Sequence, residues 1–204
     1  MTRWPPDSTR DPAASNADKI RHAALVNFAA RGVGATSLRE VACAAGVSIG
    51  LVQHHFGTKA GLVDAVDRYV VEVIQTTLAS GPGPTTLEAF GEKVTALLVQ
   101  HPTVVDYLAR SLVEVTPVGS AIFDTLIEQG LTRWERRAEE GLARDDLDHT
   151  WAALNPVLLF FGTVLLRPHI ERHLPAPFTS PAELERWGVA VNDMRRRGQM
   201  RPED

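Results

Sequence analysis

The 204-residue chain has one cysteine, Cys43. No internal disulfide can form, and such usage suits a reducing cytosol. Long apolar runs are also missing. The most apolar stretch, Pro156 to Leu166, is far shorter than the roughly 20 residues a bilayer requires. The N-terminus has prolines and charges where a signal peptide would carry its apolar region. A soluble, cytoplasmic protein is therefore expected. No alternating strand pattern and no internal repeat is visible. There is no Gly-rich phosphate loop, no Ser-His-Asp order and no paired-carboxylate motif, so no enzyme activity and no cofactor are expected.

What is present favours helices. The 15 glycines are spread from Gly32 to Gly198, but most of the 13 prolines gather at the N-terminus, near residue 82 and near residue 176. The stretches between them are largely free of breakers. With 44% hydrophobic and 23% charged residues, the chain can form one or two compact domains with a real core. The net charge is −4, but its distribution is uneven. Between Ser15 and Leu62, five basic residues (Lys19, Arg21, Arg31, Arg39, Lys59) face Asp18 and Glu40, which gives +3. From Val63 onward, 14 basic and 21 acidic residues give −7. A small basic head on an acidic body fits a local contact with nucleic acid.

Residues 1–14 read as a disordered arm, in which Arg3 and Arg10 are candidates for minor-groove contact. A first helix is expected from about Ser15, with Ile20, Ala24 and Phe28 on one face and Gly32 as a left-handed C-cap. Ser37-x-x-Glu40 is a capping box. Leu38, Val41, Ala42 and Ala45 then recur at helical spacing. Gly46 permits a tight turn, and Ser48 can cap a helix over Ile49 to His55. Thr58 caps a fourth helix running to about Leu78. Ser80 to Pro84 is a break. Further helices are expected over about 86–100, 103–115, 118–143 and 147–166, with Pro156 kinking the last or marking its true start behind an Asn155 cap. A short turn near 168–174 and a final helix over 181–197 complete an all-α chain.

Thr36-Ser-Leu-Arg-Glu-Val-Ala, then Ala45-Gly-Val-Ser, then His55-Phe-Gly-Thr-Lys59 with Leu62, resembles the TetR family of bacterial transcriptional regulators over about residues 17–64. The resemblance implies three parts: a disordered arm (1–14), a three-helix helix-turn-helix DNA-binding domain (15–62) and a larger helical ligand-binding and dimerisation domain (63–204). It also implies contacts to DNA from Thr36, Ser37, Arg39, Ser48, Ile49, Gly50, Leu51, Gln53, His54 and Lys59. Thr36, Ser37 and Ser48 are helix caps first, with phosphate contact as a second role. Arg39 occupies a family position that reaches a base, with guanine its natural target. Ile49 and Leu51 suit thymine methyl groups, and His54 suits a base edge or a phosphate. Gly50 lets the backbone approach DNA closely. His55 is expected to be packed. Gln53 stands where the family usually has a tyrosine. Lys59 is a cation near the positive end of a helix dipole, disfavoured by about 0.3–1 kcal/mol unless a phosphate joins it.

In the larger part, Tyr107, Arg110, Phe123, Trp134, Trp151 and Phe160 are candidates to line a pocket for a small-molecule effector, with His149, Asn155 and Thr163 as further polar handles. Arg133, Arg136 and Arg137 among Glu135 to Glu140 read as a solvated face with i, i+4 pairs. His169 and His173 have an i, i+4 spacing but no third ligand, so no metal site is expected. Residues 157–166 are apolar nearly all round, which calls for cover by a partner subunit. The resemblance implies a homodimer on a near-palindromic double-stranded operator. The expected function is transcriptional repression released by an effector. The alternatives are a ligand-independent DNA-binding or architectural protein, or a small-molecule enzyme or carrier.

Overall fold

The computed structural model describes residues 15–79 and 87–200. The expected arm at 1–14 and the break at 80–84 lie outside them. Contacts divide the chain into Met1–Tyr69 and Val70–Asp204. Among the described residues there are helices and no strands.

Local chemistry sets the helices of the first unit. Ser15 and Asp18 cap each other reciprocally at the start of α1 (Asn16–Arg31), which satisfies two orphan N–H groups. Ile20, Ala24 and Phe28 are fully buried along one face. The helix ends at Gly32, whose φ of +83° is paired with an extended ψ of 159°. The expected left-handed cap is therefore absent there, and the chain turns through 33–36, where the Thr36 N–H donates to the Val33 carbonyl at 3.3 Å. Ser37 and Glu40 form the second capping box, opening α2 (Leu38–Ala45). Gly46, at φ +68° and ψ +32°, supplies the left-handed turn that residues with a Cβ adopt only at a cost. Ser48 then caps α3 (Ile49–Phe56) by accepting from the Leu51 N–H at 3.2 Å. In α4 (Lys59–Ala79), Leu62 and Val66 are buried. Gly61 is there because α4 starts against the end of α3: a Cβ would collide with the Phe56 carbonyl oxygen.

The second unit contains α5 (Leu87–Gln100), α6 (Pro102–Val113), α7 (Pro117–Glu139), α8 (His149–Leu165), α9 (Arg167–Ile170), a 3-10 turn (Glu171–His173) and α10 (Pro181–Gln199). Pro102, expected only as a stop, is also the first residue of α6, where its missing N–H costs nothing. α7 ends earlier than expected. Gly141 turns the chain at φ +71°, and the Leu142 and Ala143 N–H groups fold back onto the Arg137 carbonyl. α8 starts at His149 behind an Asp148 cap, so Asn155 is not a cap and Pro156 lies inside the helix. α8 packs along α7 and against α6, and α10 packs against α5. Among the described residues no single helix is long and apolar enough to cross a membrane.

Candidate nucleic-acid interface and interior cavity

In α3 only Val52 is fully buried. Leu51 and Phe56 are half-buried, while Ile49, Gly50, Gln53, His54 and His55 face solvent. Gly50, Gln53 and His54 follow at i, i+3, i+4, so they share one face. His55 is exposed, contrary to the expectation of packing. Its ring lies 5.5 Å from His54 and 6.1 Å from Phe56, because Val52 already fills the contact of α3 with the core. Nothing in the fold demands glycine at position 50. The nearest atom to an added Cβ would be Ser48 Oγ at 3.9 Å.

The flanking candidates divide into free and committed side chains. Arg39 is exposed on α2 and, among the described residues, has no ion pair. Ser37 and Ser48 are exposed but their hydroxyls accept from the Glu40 and Leu51 N–H groups, both at 3.2 Å. Thr36 is 1% exposed and its hydroxyl donates to the Gly32 carbonyl at 3.0 Å. Its side chain is part of the α1–α2 connection and is not presented on the surface. Lys59, half-buried at the first position of α4, donates from Nζ to the Gly34 carbonyl at 3.4 Å. That long contact holds the ammonium near the α1–α2 loop, and at the α4 start the Thr58 hydroxyl accepts from the Gly61 N–H at 3.2 Å. Arg31 meets Glu40 at 2.7 Å, and so belongs to the scaffold. The Ser37 backbone N–H, the Ser37 hydroxyl and Arg31 together lower the Glu40 carboxyl from 4.5 to about 2. Cys43 is exposed.

The second unit holds a half-open cavity of about 660 Å³, with the exposed Val99 and Val189 among its lining residues. Of the expected lining residues, Trp134 and Phe160 are on its wall. The other four are not. Tyr107 is buried on another side of α6 from Val104, Val105 and Leu108, which do line it. Arg110 pairs with Glu114 at 3.3 Å near the end of α6. Phe123 lies one position beyond the lining residue Ile122, and Trp151 is 56% exposed. Nor do the polar handles reach it: Asn155 is exposed, His149 opens α8, and Thr163 donates to the Leu159 carbonyl at 2.7 Å.

The charged lining was missed. Gly130, Arg133, Trp134 and Arg137 of α7 all border the cavity. Their i, i+3, i+4, i+7 spacing was the available signal, hidden because the arginines read as solvated. Arg137 is only 6% exposed, and its guanidinium sits 5.4 Å from the Trp134 ring centre. Arg136 is exposed and 3.9 Å from Glu140, as expected of a surface pair. His169 ends in α9 and His173 in the 3-10 turn, so they do not share one helix.

The family profile described as "Bacterial regulatory proteins, tetR family" matches residues 20–66. The chain is 34% identical over 127 residues to the HTH-type transcriptional regulatory protein RaaS of Mycobacterium tuberculosis, covering 61% of this chain and 56% of that protein. It is 40% identical over 63 residues to the HTH-type transcriptional repressor KstR2 of Mycolicibacterium smegmatis, covering 31% and 30%. The chain thus spans about half the length, or less, of the curated relatives it matches. A TetR family regulator structure from Chloroflexus aurantiacus superimposes with a TM-score of 0.75 at 18% identity, over 92% of this chain and 94% of that one. At that identity the likeness establishes the fold. The profile match, the named relatives and the shared fold agree with the α2–turn–α3 geometry: residues 20–66 carry the domain described for the tetR family of bacterial regulatory proteins, and the chain has the fold of the regulators it superimposes on.

Proposed function

We propose that the protein is a homodimeric, sequence-specific DNA-binding regulator, a repressor that a small-molecule effector releases from a near-palindromic operator. The observation that carries this reading is the outward face of α3. Val52, with the half-buried Leu51 and Phe56, anchors the helix, and Ile49, Gly50, Gln53 and His54 are left exposed after a tight turn. A helix presented in this way fits the major groove. In the complex Arg39 reads a base, while Lys59 and the N-terminal N–H groups of α4 hold a phosphate. Ser37 and Ser48 keep their capping roles and meet phosphates only at the margin. Thr36 contributes through the loop it fixes. Relatives named as transcriptional repressors support the direction of regulation.

Dimerisation is supported by apolar side chains left in solvent on two helices. α8 exposes Trp151, Leu158 and Leu165, and α10 exposes Val189 and Met194. A second copy covering these faces, as the family resemblance implies, sets two α3 helices roughly 34–36 Å apart. The cavity favours effector control over the ligand-independent alternative, which a solidly filled interior would suit. The chain passes from one unit to the other within α4, so a shift of α4 is the proposed link. The effector acts only through its differential affinity for the two conformations. The test is selection from random duplexes followed by challenge with cell extract. An enriched near-palindrome that the extract's small molecules release is the expected outcome. Affinity unchanged by any fraction refutes effector control, and no enriched sequence refutes the regulator.

A further inference from the structure

We propose that the effector is an uncharged, largely apolar molecule with a hydroxyl or amide hydrogen, and that it donates this hydrogen to the α8 wall of the cavity, where Pro156 leaves a backbone carbonyl without its helical partner. This rests on the effector-controlled reading above and narrows it to a chemical class.

α8 has two faces. Trp151, Leu158 and Leu165, at i, i+7 and i+14, are exposed. Ala152, Pro156 and Phe160, at i, i+4 and i+8, line the cavity, with Ala153 and Val157 beside them. The proline is thus in the cavity wall and inside the helix, beyond its first turn. Proline has no N–H to give. In an α-helix the carbonyl of residue i points along the axis to the N–H of residue i+4. The Ala152 carbonyl therefore points toward Pro156 and meets no donor there. A local shift does not restore the count. If the Val157 N–H turned to Ala152, the Ala153 carbonyl would be left over instead, and both alanines border the cavity.

The neighbouring helix does not supply the donor. Among the described residues no loop N–H and no side chain donates to the Ala152 carbonyl. At this level α7 brings Gly130, which has no side chain, so close that an added Cβ would stand 2.9 Å from Ala153 Cβ. Ala152 is 2% exposed, so bulk water scarcely reaches it, and the space on its open side is the cavity. A buried carbonyl without a partner is costly. The rest of the wall is mostly aliphatic or aromatic, including Leu97, Val105, Leu108, Phe161 and Trp187. The volume of about 660 Å³ lies inside the range of roughly 300–1,000 Å³ typical of small-molecule sites. An apolar body that carries one donor satisfies both the wall and the carbonyl.

The charged wall residues do not call for a charged ligand. Arg133, Arg137 and Arg195 are each engaged within the protein, and Glu92 and Glu185 are exposed to water. A plainer role for Pro156 is to bend α8. The bend does not require the proline to share a face with Ala152 and Phe160 on the cavity wall, yet there it frees a carbonyl beside the space a ligand would fill. A water molecule held in the cavity is the other way to pair that carbonyl, and the donor of a ligand would replace it.

The test uses the full chain and two matched pairs of probes below their solubility limits: cyclododecanol with cyclododecanone, and 1-decanol with 2-decanone. In each pair only the alcohol can donate. Decanoate and decyltrimethylammonium are the charged comparisons. Calorimetric titration is expected to show at least one alcohol binding about fivefold or more tighter than its ketone and than either ion. Pro156→Ala supplies the missing N–H and pairs the carbonyl inside the helix. In that variant the alcohol and its ketone should agree within about twofold, both changing together through the altered wall. Alanine also favours the helix, so the variant is expected to fold; should it not, the wild-type order decides alone. Ketones binding as tightly as alcohols, an ion binding best, no probe binding, or a folded Pro156→Ala that keeps the full alcohol preference would overturn the proposal. Operator binding and its release by extract are measured on the same preparation. If they persist while the alcohol preference fails, the chemical class falls and the effector-controlled reading stands. If release fails while the preference holds, the effector-controlled reading falls and the ligand chemistry of the cavity stands.

Discussion

Gly50→Ala separates the demands of folding from those of DNA binding. Glycine inside a helix costs about 0.5–1 kcal/mol relative to alanine, through backbone entropy. At position 50 the fold receives nothing in return. The added methyl would have only Ser48 Oγ nearby, at 3.9 Å, and the position is not among the left-handed glycines. The variant should therefore be more stable by about 0.5–1 kcal/mol, seen as a higher urea midpoint with an unchanged slope. In the proposed complex that methyl would lie between the α3 backbone and the groove. Loss of close approach should weaken operator binding at least tenfold, about 1.4 kcal/mol, read by fluorescence anisotropy at fixed salt. A stabilised variant with undiminished affinity would refute a close approach at residue 50. A destabilised variant would refute the reasoning that residue 50, the second residue of α3, gains from a Cβ.

Other perturbations probe the same head. Lys59→Ala should weaken binding to all duplexes about equally and flatten the salt slope by roughly one per protomer, whereas a changed base preference at constant slope would contradict a phosphate role. Arg39→Ala should relax preference at one base pair per half-site, at about 1–3 kcal/mol, and an unaltered preference profile removes Arg39 from the readers. Gly61→Ala, forcing a Cβ against the Phe56 carbonyl, should cost about 1–3 kcal/mol in a urea titration, and an unmoved midpoint would contradict the close α3–α4 packing. Because the Glu40 carboxyl is lowered from 4.5 to about 2 when folded, the unfolded chain takes up its proton first. The cap's contribution is thus full above pH 4.5 and disappears as pH falls toward 2. Glu40→Gln should flatten the acid limb of stability in that window, and an unchanged limb would refute the linkage.

Legibility in the sequence followed the range of the interaction. The capping residues Ser15, Ser37 and Ser48 act within three positions, so α1, α2 and α3 could be read from local spacing. Gly46 was equally local. α8 was harder, because Pro156 suggested a start that the Asp148 cap and packing along α7 override. His55 required knowing that α3 meets the core through the buried Val52 and the half-buried Leu51 and Phe56. Thr36 required the through-space bond to the Gly32 carbonyl. The cavity wall was the least legible part. Tyr107 and Phe123 are on helices that contribute to the wall, but their neighbours in sequence face it instead. Arg133 and Arg137 followed the helical period of that wall, yet charge argued for solvent. Which face of a long helix meets a cavity depends on the helices opposite, and α10 comes from a distant part of the chain.

The central claim is that two copies of α3 read the major groove. Methylation interference on the enriched operator tests it most directly, since guanine N7 lies in the major groove and adenine N3 in the minor groove. The account predicts two patches of N7 interference, with centres about 10–10.5 base pairs apart, and none from adenine N3 beneath them. Interference confined to adenine N3, or a single N7 patch, would contradict it.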